Sequence, residues 1–241
     1  MPTLPIAEIW VYLSGNPLFA LFLTLGAYQL GTWVYEKTHR HPLANPVAIA
    51  VLLVAATLQV IGLPYAKYFE GAQFVHFLLG TATVALAVPI YQGYAMLRRR
   101  ALALGVALAC GALTSIVSAV IIARMLGADD ALVTPLYAKS VTAPIAMGVA
   151  ERIGASPTLT AVYALVTGIL GAALGRFVLD AVGSRAWWQR GFALGAAAHG
   201  IGTSRAFSVH VEAGTYASLA MGLHGVLGAL MVPLVYRWVA G

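Results

Sequence analysis

The chain has few charges. Of its 241 residues only 9% are charged, with 8 acids against 14 lysines and arginines, where a soluble domain carries about 25%. It holds a single cysteine, Cys110, inside an apolar run, so neither a disulfide framework nor a cysteine metal site is available. It lacks a Gly-x-x-x-x-Gly-Lys-Ser/Thr loop, which argues against ATP, and it lacks His-Glu-x-x-His. Gly200-x-Gly202 has no strand context for a dinucleotide. No nucleophile with a convincing base is visible, and carboxylates inside the apolar runs are too few for a protease dyad. The expectation is a protein that is not an enzyme, with no catalytic residues, cofactor or metal. The first 15 residues lack a basic n-region and a small-residue cleavage site, so no removable signal peptide is expected.

What is present is apolar sequence: 61% hydrophobic residues and a mean hydropathy of +0.86. Soluble packing cannot hide so much, so the predicted solvent is lipid, and the length suits about seven or eight segments of about 20 residues. The net charge of +6 sits largely in loops, where it sets orientation and meets anionic lipid, with no need of nucleic acid. The predicted fold is an all-α polytopic membrane protein with 7–8 segments, some broken or re-entrant. The whole of 1–241 reads as one integral membrane domain, with scaffold spans in 1–127 and polar segments in 128–241.

Residues 4–14 read as a short interfacial helix. Spans are predicted at Pro17–Tyr35, Leu43–Gly62, Phe74–Met96, Ala101–Met125, Pro157–Val182 and Gly214–Trp238. The third is expected to break at Gly80-Thr81-Ala82-Thr83 and again near Pro89. Polar interruptions near 80–90, 139–144 and 199–205, with clean spans between, suggest an inverted-repeat secondary transporter with its site at mid-membrane. No residue-level repeat supports this.

The most anomalous stretch is Leu136–Met147, which holds Lys139, Ser140, Thr142 and Pro144 among apolar residues. A charge at bilayer depth costs about 2.5–3.5 kcal/mol on insertion scales, so Lys139 calls for a partner or water. Two readings stand. Lys139 balances a bound carboxylate while hydroxyls and free amides hold its oxygens, or it snorkels to the headgroups. The segment 132–153 either crosses or re-enters. Re-entry places Arg185 and Arg190 on the side of Arg98–Arg100, which the positive-inside rule favours.

The second polar stretch is His199–Arg205. Gly200 and Gly202 loosen the helix, Thr203 and Ser204 supply hydroxyls, and Arg205 offers a fork for a carboxylate. His199 suits a coupling proton or a bond between helices. Glu212 is a second coupling candidate, or a charge at a helix N-terminus. Thr81 and Thr83 are expected to complete the site from the third span. His76 and His224 read as packed or interfacial, and His39, His41 and His210 as wet.

At these motifs the chain resembles the LrgB/CidB family. The resemblance rests on Lys139–Met147, on His199–Ala206, on Ala82–Tyr91, and on Glu212-Ala213-Gly214 with Ser218–Met221. Thr81 stands where the family often has proline, which weakens a full break there, and Ser204 replaces a common alanine. The resemblance implies a bacterial inner-membrane protein, either a holin- or antiholin-like regulator of murein hydrolase export and lysis, or a carrier like the plastidial glycolate/glycerate translocator. It implies a small LrgA/CidA-like membrane partner and, together with the site residues, a monocarboxylate or 2-hydroxy acid substrate. A homo-oligomer, a dimer, is expected.

Overall fold

In the computed structural model, residues 17–41, 44–85 and 87–240 are described. The interfacial helix expected over 4–14 lies outside them. Every regular element among the described residues is helical. Four helices are long and apolar enough to cross a membrane, and a shorter apolar helix covers Pro46–Val60. The chain divides into two compact units, Met1–Ala82 and Thr83–Gly241.

In the first unit, α1 (Pro17–Lys37) packs on α2 (Pro46–Val60). Asn45 starts α2, its side-chain oxygen accepting from the amides of Val47 at 2.9 Å and Ala48 at 3.1 Å, while Pro46 needs no donor partner at that position. The crossing is close enough that a Cβ on Gly31 would strike the Pro46 backbone. Then α3 (Tyr65–Ala85) joins through Tyr68, whose hydroxyl lies 2.7 Å from Thr24 Oγ1, in a small core with Ala20, Leu58 and Ala72.

The break expected at Gly80–Thr83 is absent, since α3 runs through it. Thr81 Oγ1 donates to the Leu78 carbonyl at 2.8 Å, a back-bond that a helix accommodates. The interruption lies later, at Gly93, between α4 (Ala87–Gln92) and α5 (Tyr94–Arg99). Pro89 lies within α4. Gly93 lies so close to Leu219 that a Cβ would overlap it.

The second unit is built from spans and hairpins. First comes α6 (Ala101–Met125). The short α7 (Asp130–Val133) continues as a 3-10 turn over Thr134–Ala138, and α8 follows at Ala143–Arg152. Then come α9 (Pro157–Ala181), α10 (Trp187–Val209) and α11 (Val211–Ala240).

The element α10 is not a rod. At Ala198 (φ −126°, ψ 16°) and His199 (φ 40°, ψ −131°) the backbone leaves helical values. Twenty-three residues of straight helix span about 35 Å, yet the Trp187 and His210 rings stack with centroids 4.8 Å apart. The two arms touch along their length: a Cβ on Gly202 would lie 2.7 Å from the Ala198 methyl and 2.5 Å from the Leu194 carbonyl. Thus 187–209 is a helical hairpin with its tip at Ala198–His199.

Its open end lies where α6 begins, because the Arg100 guanidinium sits 4.2 Å over the Trp188 ring and donates to Tyr216 at 3.2 Å. The C-terminus of α9 is there as well, with Asp180 2.7 Å from Arg190. From this Arg100 end α11 runs away, so that Ala213 meets Gly191, Ala217 meets Gly195, and Tyr236 lies at the far end.

The segment 130–153, the first hairpin in chain order, has the opposite orientation to 187–209, the second. It starts at the far end, where Asp130 pairs with Arg124 at 2.7 Å and Tyr137 meets Tyr236 edge-on at 5.2 Å. Going inward, Val141 lies against Gly228 and Ile145 against Gly225. The chain then returns through α8, because α9 is about 37 Å long and its other end is at Arg190. Val133 and Ile153 accordingly share one core with Val232. Re-entry is therefore the geometry of 130–153, and Arg185 and Arg190 lie with Arg98–Arg100. Span, hairpin, span and hairpin alternate with inverted sense, as the polar interruptions suggested.

Each hairpin half is too short to cross alone and is held by backbone contact. Gly191 and Gly195 bring α10 so near α11 that a Cβ on either would overlap the Ala213 or Ala217 carbonyl. Gly195→Val should therefore lower stability by about 1–3 kcal/mol or more, read as a lower unfolding temperature in detergent, while Gly148→Ala, with open space around it, should not. In a Cys110→Ala background, cysteines at Asp129 and Glu151 should label from one side of the membrane and cysteines at Ser184 and His210 from the other. Labelling of Asp129 and Glu151 from opposite sides would refute the first hairpin.

Candidate functional site

The first hairpin tip is built by a failure of helix. Pro135 supports the 3-10 turn, residues 139–142 are irregular, and α8 restarts after Thr142 with Pro144 in its first turn. This projects Lys139 onto α6. Its Nζ donates to Ser115 Oγ at 2.8 Å and to Ser140 Oγ at 3.2 Å, and the two hydroxyls are 2.7 Å apart. Ser115 is ten residues from the end of α6 at Met125, about 15 Å, so the amine is held at the middle of the span and does not reach a headgroup layer. Among the described residues no carboxylate lies within ion-pair distance of Lys139.

Two cavities meet at this cluster. One of about 530 Å³ is lined by Lys139, Ser115, Ser140 and Thr167, and continues past Leu174 to Val178. The other, about 460 Å³, is lined by Ser115, Ser140 and His224 and reaches Trp188. Ser115, Ser140, Ala193 and Ala197 belong to both. Both run towards the Arg100 end. The Arg124 side is filled by the core of Val133, Tyr137, Val141, Val149 and Val232.

The second tip is fixed by two histidines. His199 is buried, and its Nε2 donates to the Ala164 carbonyl of α9 at 2.8 Å. Its φ of 40° lies in a region few non-glycine residues adopt. His224, buried as its packed reading required, donates from Nδ1 to the Ala196 carbonyl at 2.6 Å. The His224 bond covers a carbonyl just before the reversal, where the helix ladder cannot, and the His199 bond ties the tip to a carbonyl inside α9. The restarting helices, α8 and the arm from Gly200, direct N-terminal ends to the tips, and the arms before them direct C-terminal ends there. These dipoles partly offset, and the Lys139 ammonium is the net charge between them.

The remaining candidates lie elsewhere. Thr203 Oγ1 points to Met221 Sδ at 3.8 Å, Gly200 also faces Met221, and Gly202 packs between the arms. Ser204 is exposed. Arg205 contacts Ser208 at 3.4 Å and lines a separate third cavity with Arg176, Arg185 and Arg190. The pairing of Lys139 with Arg205 around one carboxylate does not occur, because the hairpin points Arg205 back to the Arg100 end. Glu212 is exposed in the first turn of α11. Neither His199 nor Glu212 lines the cavities at Lys139. Thr81 is exposed in the first unit, and the side chain of Thr83 lies outside the described residues, as do those of Pro89 and His76. Sequence reasoning missed Ser115. Its signal was the hydroxyl pair Thr114-Ser115 in the middle of an otherwise apolar span.

Two opposed re-entrant hairpins between long apolar helices, with a lysine at their meeting point, define a multi-pass α-helical membrane protein. Residues 24–238 match the LrgB-like family, and the chain belongs to it. It is 33% identical over 218 residues to the uncharacterized protein YwbG of Bacillus subtilis, covering 90% of this chain and 96% of that one. It is 26% identical to the holin-like protein CidB of Staphylococcus epidermidis, over 89% and 93% of the two chains. It is also 26% identical to the antiholin-like protein LrgB of Bacillus subtilis, over 94% and 98%. No solved structure matches the chain.

Replacing His199 with leucine should remove the hydrogen bond that ties the tip to α9 and keep the unfavourable φ. A loss of about 1–3 kcal/mol is expected, measured by thermal unfolding of the detergent-solubilised protein.

Proposed function

We infer that the protein is a secondary carrier of small organic anions, of the monocarboxylate and 2-hydroxy acid class, working by alternating access. One observation supports this reading: an ammonium held at mid-depth by two hydroxyls, with no carboxylate in ion-pair distance among the described residues, on the wall of cavities that run towards the Arg100 end. A buried cation without a fixed anion is stabilised by a bound one, and flanking hydroxyls suit the second oxygen and a 2-hydroxyl. A cavity of about 500 Å³ holds a three-carbon acid with water. The Tyr137–Tyr236 core is then the closed gate.

Orientation follows from charge. At the Arg100 end the second unit has Arg98, Arg99, Arg100, Arg176, Arg185, Arg190 and Arg205 against Asp180 and Glu212. At the other end Arg124, Arg152 and Arg237 face Asp129, Asp130 and Glu151. The positive-inside rule turns the Arg100 end to the cytoplasm of a bacterial inner membrane, so the conformation described is open inward.

In proteoliposomes, saturable uptake of glycolate, lactate or pyruvate is expected, and Lys139→Ala should abolish it with folding intact. Ser115→Ala should raise KM several-fold, the scale of about one hydrogen bond to a charged group. Uptake indifferent to Lys139→Ala sinks the carrier reading. The names of the relatives favour a second reading, a holin-like pore. Leakage of solutes too large for the cavities, with no saturation, would establish that instead.

A further inference from the structure

The third cavity, about 410 Å³, lies between α9 and both arms of the second hairpin, at the Arg100 end. Its rim carries Arg176, Arg185, Arg190 and Arg205 against one carboxylate, Asp180. That carboxylate is already matched. Arg190 holds it at 2.7 Å and also donates to the Ser184 carbonyl at 2.8 Å, which closes the α9–α10 turn. Arg176 reaches Asp180 only at 3.6 Å, with its side chain 76% exposed. With Arg190 matched to Asp180, Arg176 and Arg185 keep the rim positive. The floor is apolar, made by Ala172, Leu194, Ala206 and Val209. On α9 beside it, Phe177 is exposed at 67%, at the depth where Trp187 and Trp188 mark a membrane interface.

A cationic rim above an apolar floor fits an amphiphile with a compact anionic head. Guanidinium forks match phosphate oxygens in pairs, and basic pockets between helices on the cytoplasmic side suit anionic headgroups. We propose that this cavity binds the phosphate headgroup of an anionic membrane phospholipid, with its acyl chains along Phe177. Leu194 lines both this cavity and the one at Lys139, so the bound lipid braces the arm whose tip borders the Lys139 cluster. The site stands apart from transport and requires only that the chain be embedded in lipid.

The test uses delipidated full-length protein in detergent, with lipid binding counted by native mass spectrometry and followed by thermal unfolding. Phosphatidylglycerol and cardiolipin should bind and raise the unfolding temperature, while phosphatidylcholine should not. Arg176→Gln with Arg185→Gln should weaken anionic lipid binding about thirtyfold, the scale of two basic residues at a membrane surface. Arg98→Gln with Arg99→Gln, away from this cavity, should not. If the double variant is destabilised, Arg185→Gln alone, at an exposed turn residue, should still weaken binding several-fold. Equal stabilisation by phosphatidylcholine, an unchanged lipid response in the Arg176/Arg185 variants, or full stabilisation by inorganic phosphate with none added by lipid would each overturn the proposal.

Discussion

A chain that reverses direction inside lipid must cover the polar backbone it exposes in doing so. No water is available at that depth, and each uncovered carbonyl or amide costs several kcal/mol. The second unit is arranged around two such reversals. At Ala198–His199 the His224 imidazole, reaching in from α11, covers the Ala196 carbonyl, and the His199 imidazole ties the tip to α9. At Lys139–Thr142 the ammonium and two hydroxyls bind one another. The first solution is closed, because its donors have accepting carbonyls. The second is open, because a full positive charge has only neutral oxygens beside it. The two tips thus differ in kind, and the proposed anion site rests on the first.

The close packing follows from the same constraint. Short arms bury little side-chain surface against lipid, where the hydrophobic effect between helices is weak, so contact must come from backbone proximity. Glycines on the arms at 191, 195 and 202 and on the spans at 168, 225 and 228 face carbonyls, methyls or imidazole directly. The absence of side chains at these positions is what lets two hairpins and three spans meet around cavities.

Much of this was legible in the sequence. The spans at 101–125 and 157–182 needed only hydropathy and a proline, and re-entry of 130–153 was readable from where the arginines fell. The hairpin in 187–209 was legible only as a short, glycine-rich polar segment. Its sharp reversal depends on His199 adopting a glycine-like φ, which no residue pattern announces. The partnership of Lys139 with Ser115 is set by the crossing of α6 with a hairpin tip, 24 residues apart in sequence, and a serine in an apolar span looks the same whether it faces lipid or a lysine. Arg205 seemed to join Lys139 because both flank polar breaks. A hairpin returns its second arm to where it began, so the arginine travelled with the arm.

The contact of Gly191 and Gly195 with α11 has one more implication. Interdigitated side chains lock two helices like gear teeth, and any shift must lift each tooth out of its notch. Here the two surfaces are bare carbonyls and alpha carbons, smooth on the scale of a methyl group. Such a face resists separation strongly but does not by itself fix an axial position. The register of the hairpin on α11 is therefore set by the side chains that flank the stripe, Phe192 against Tyr216 and Leu219, and His224 at the Ala196 carbonyl.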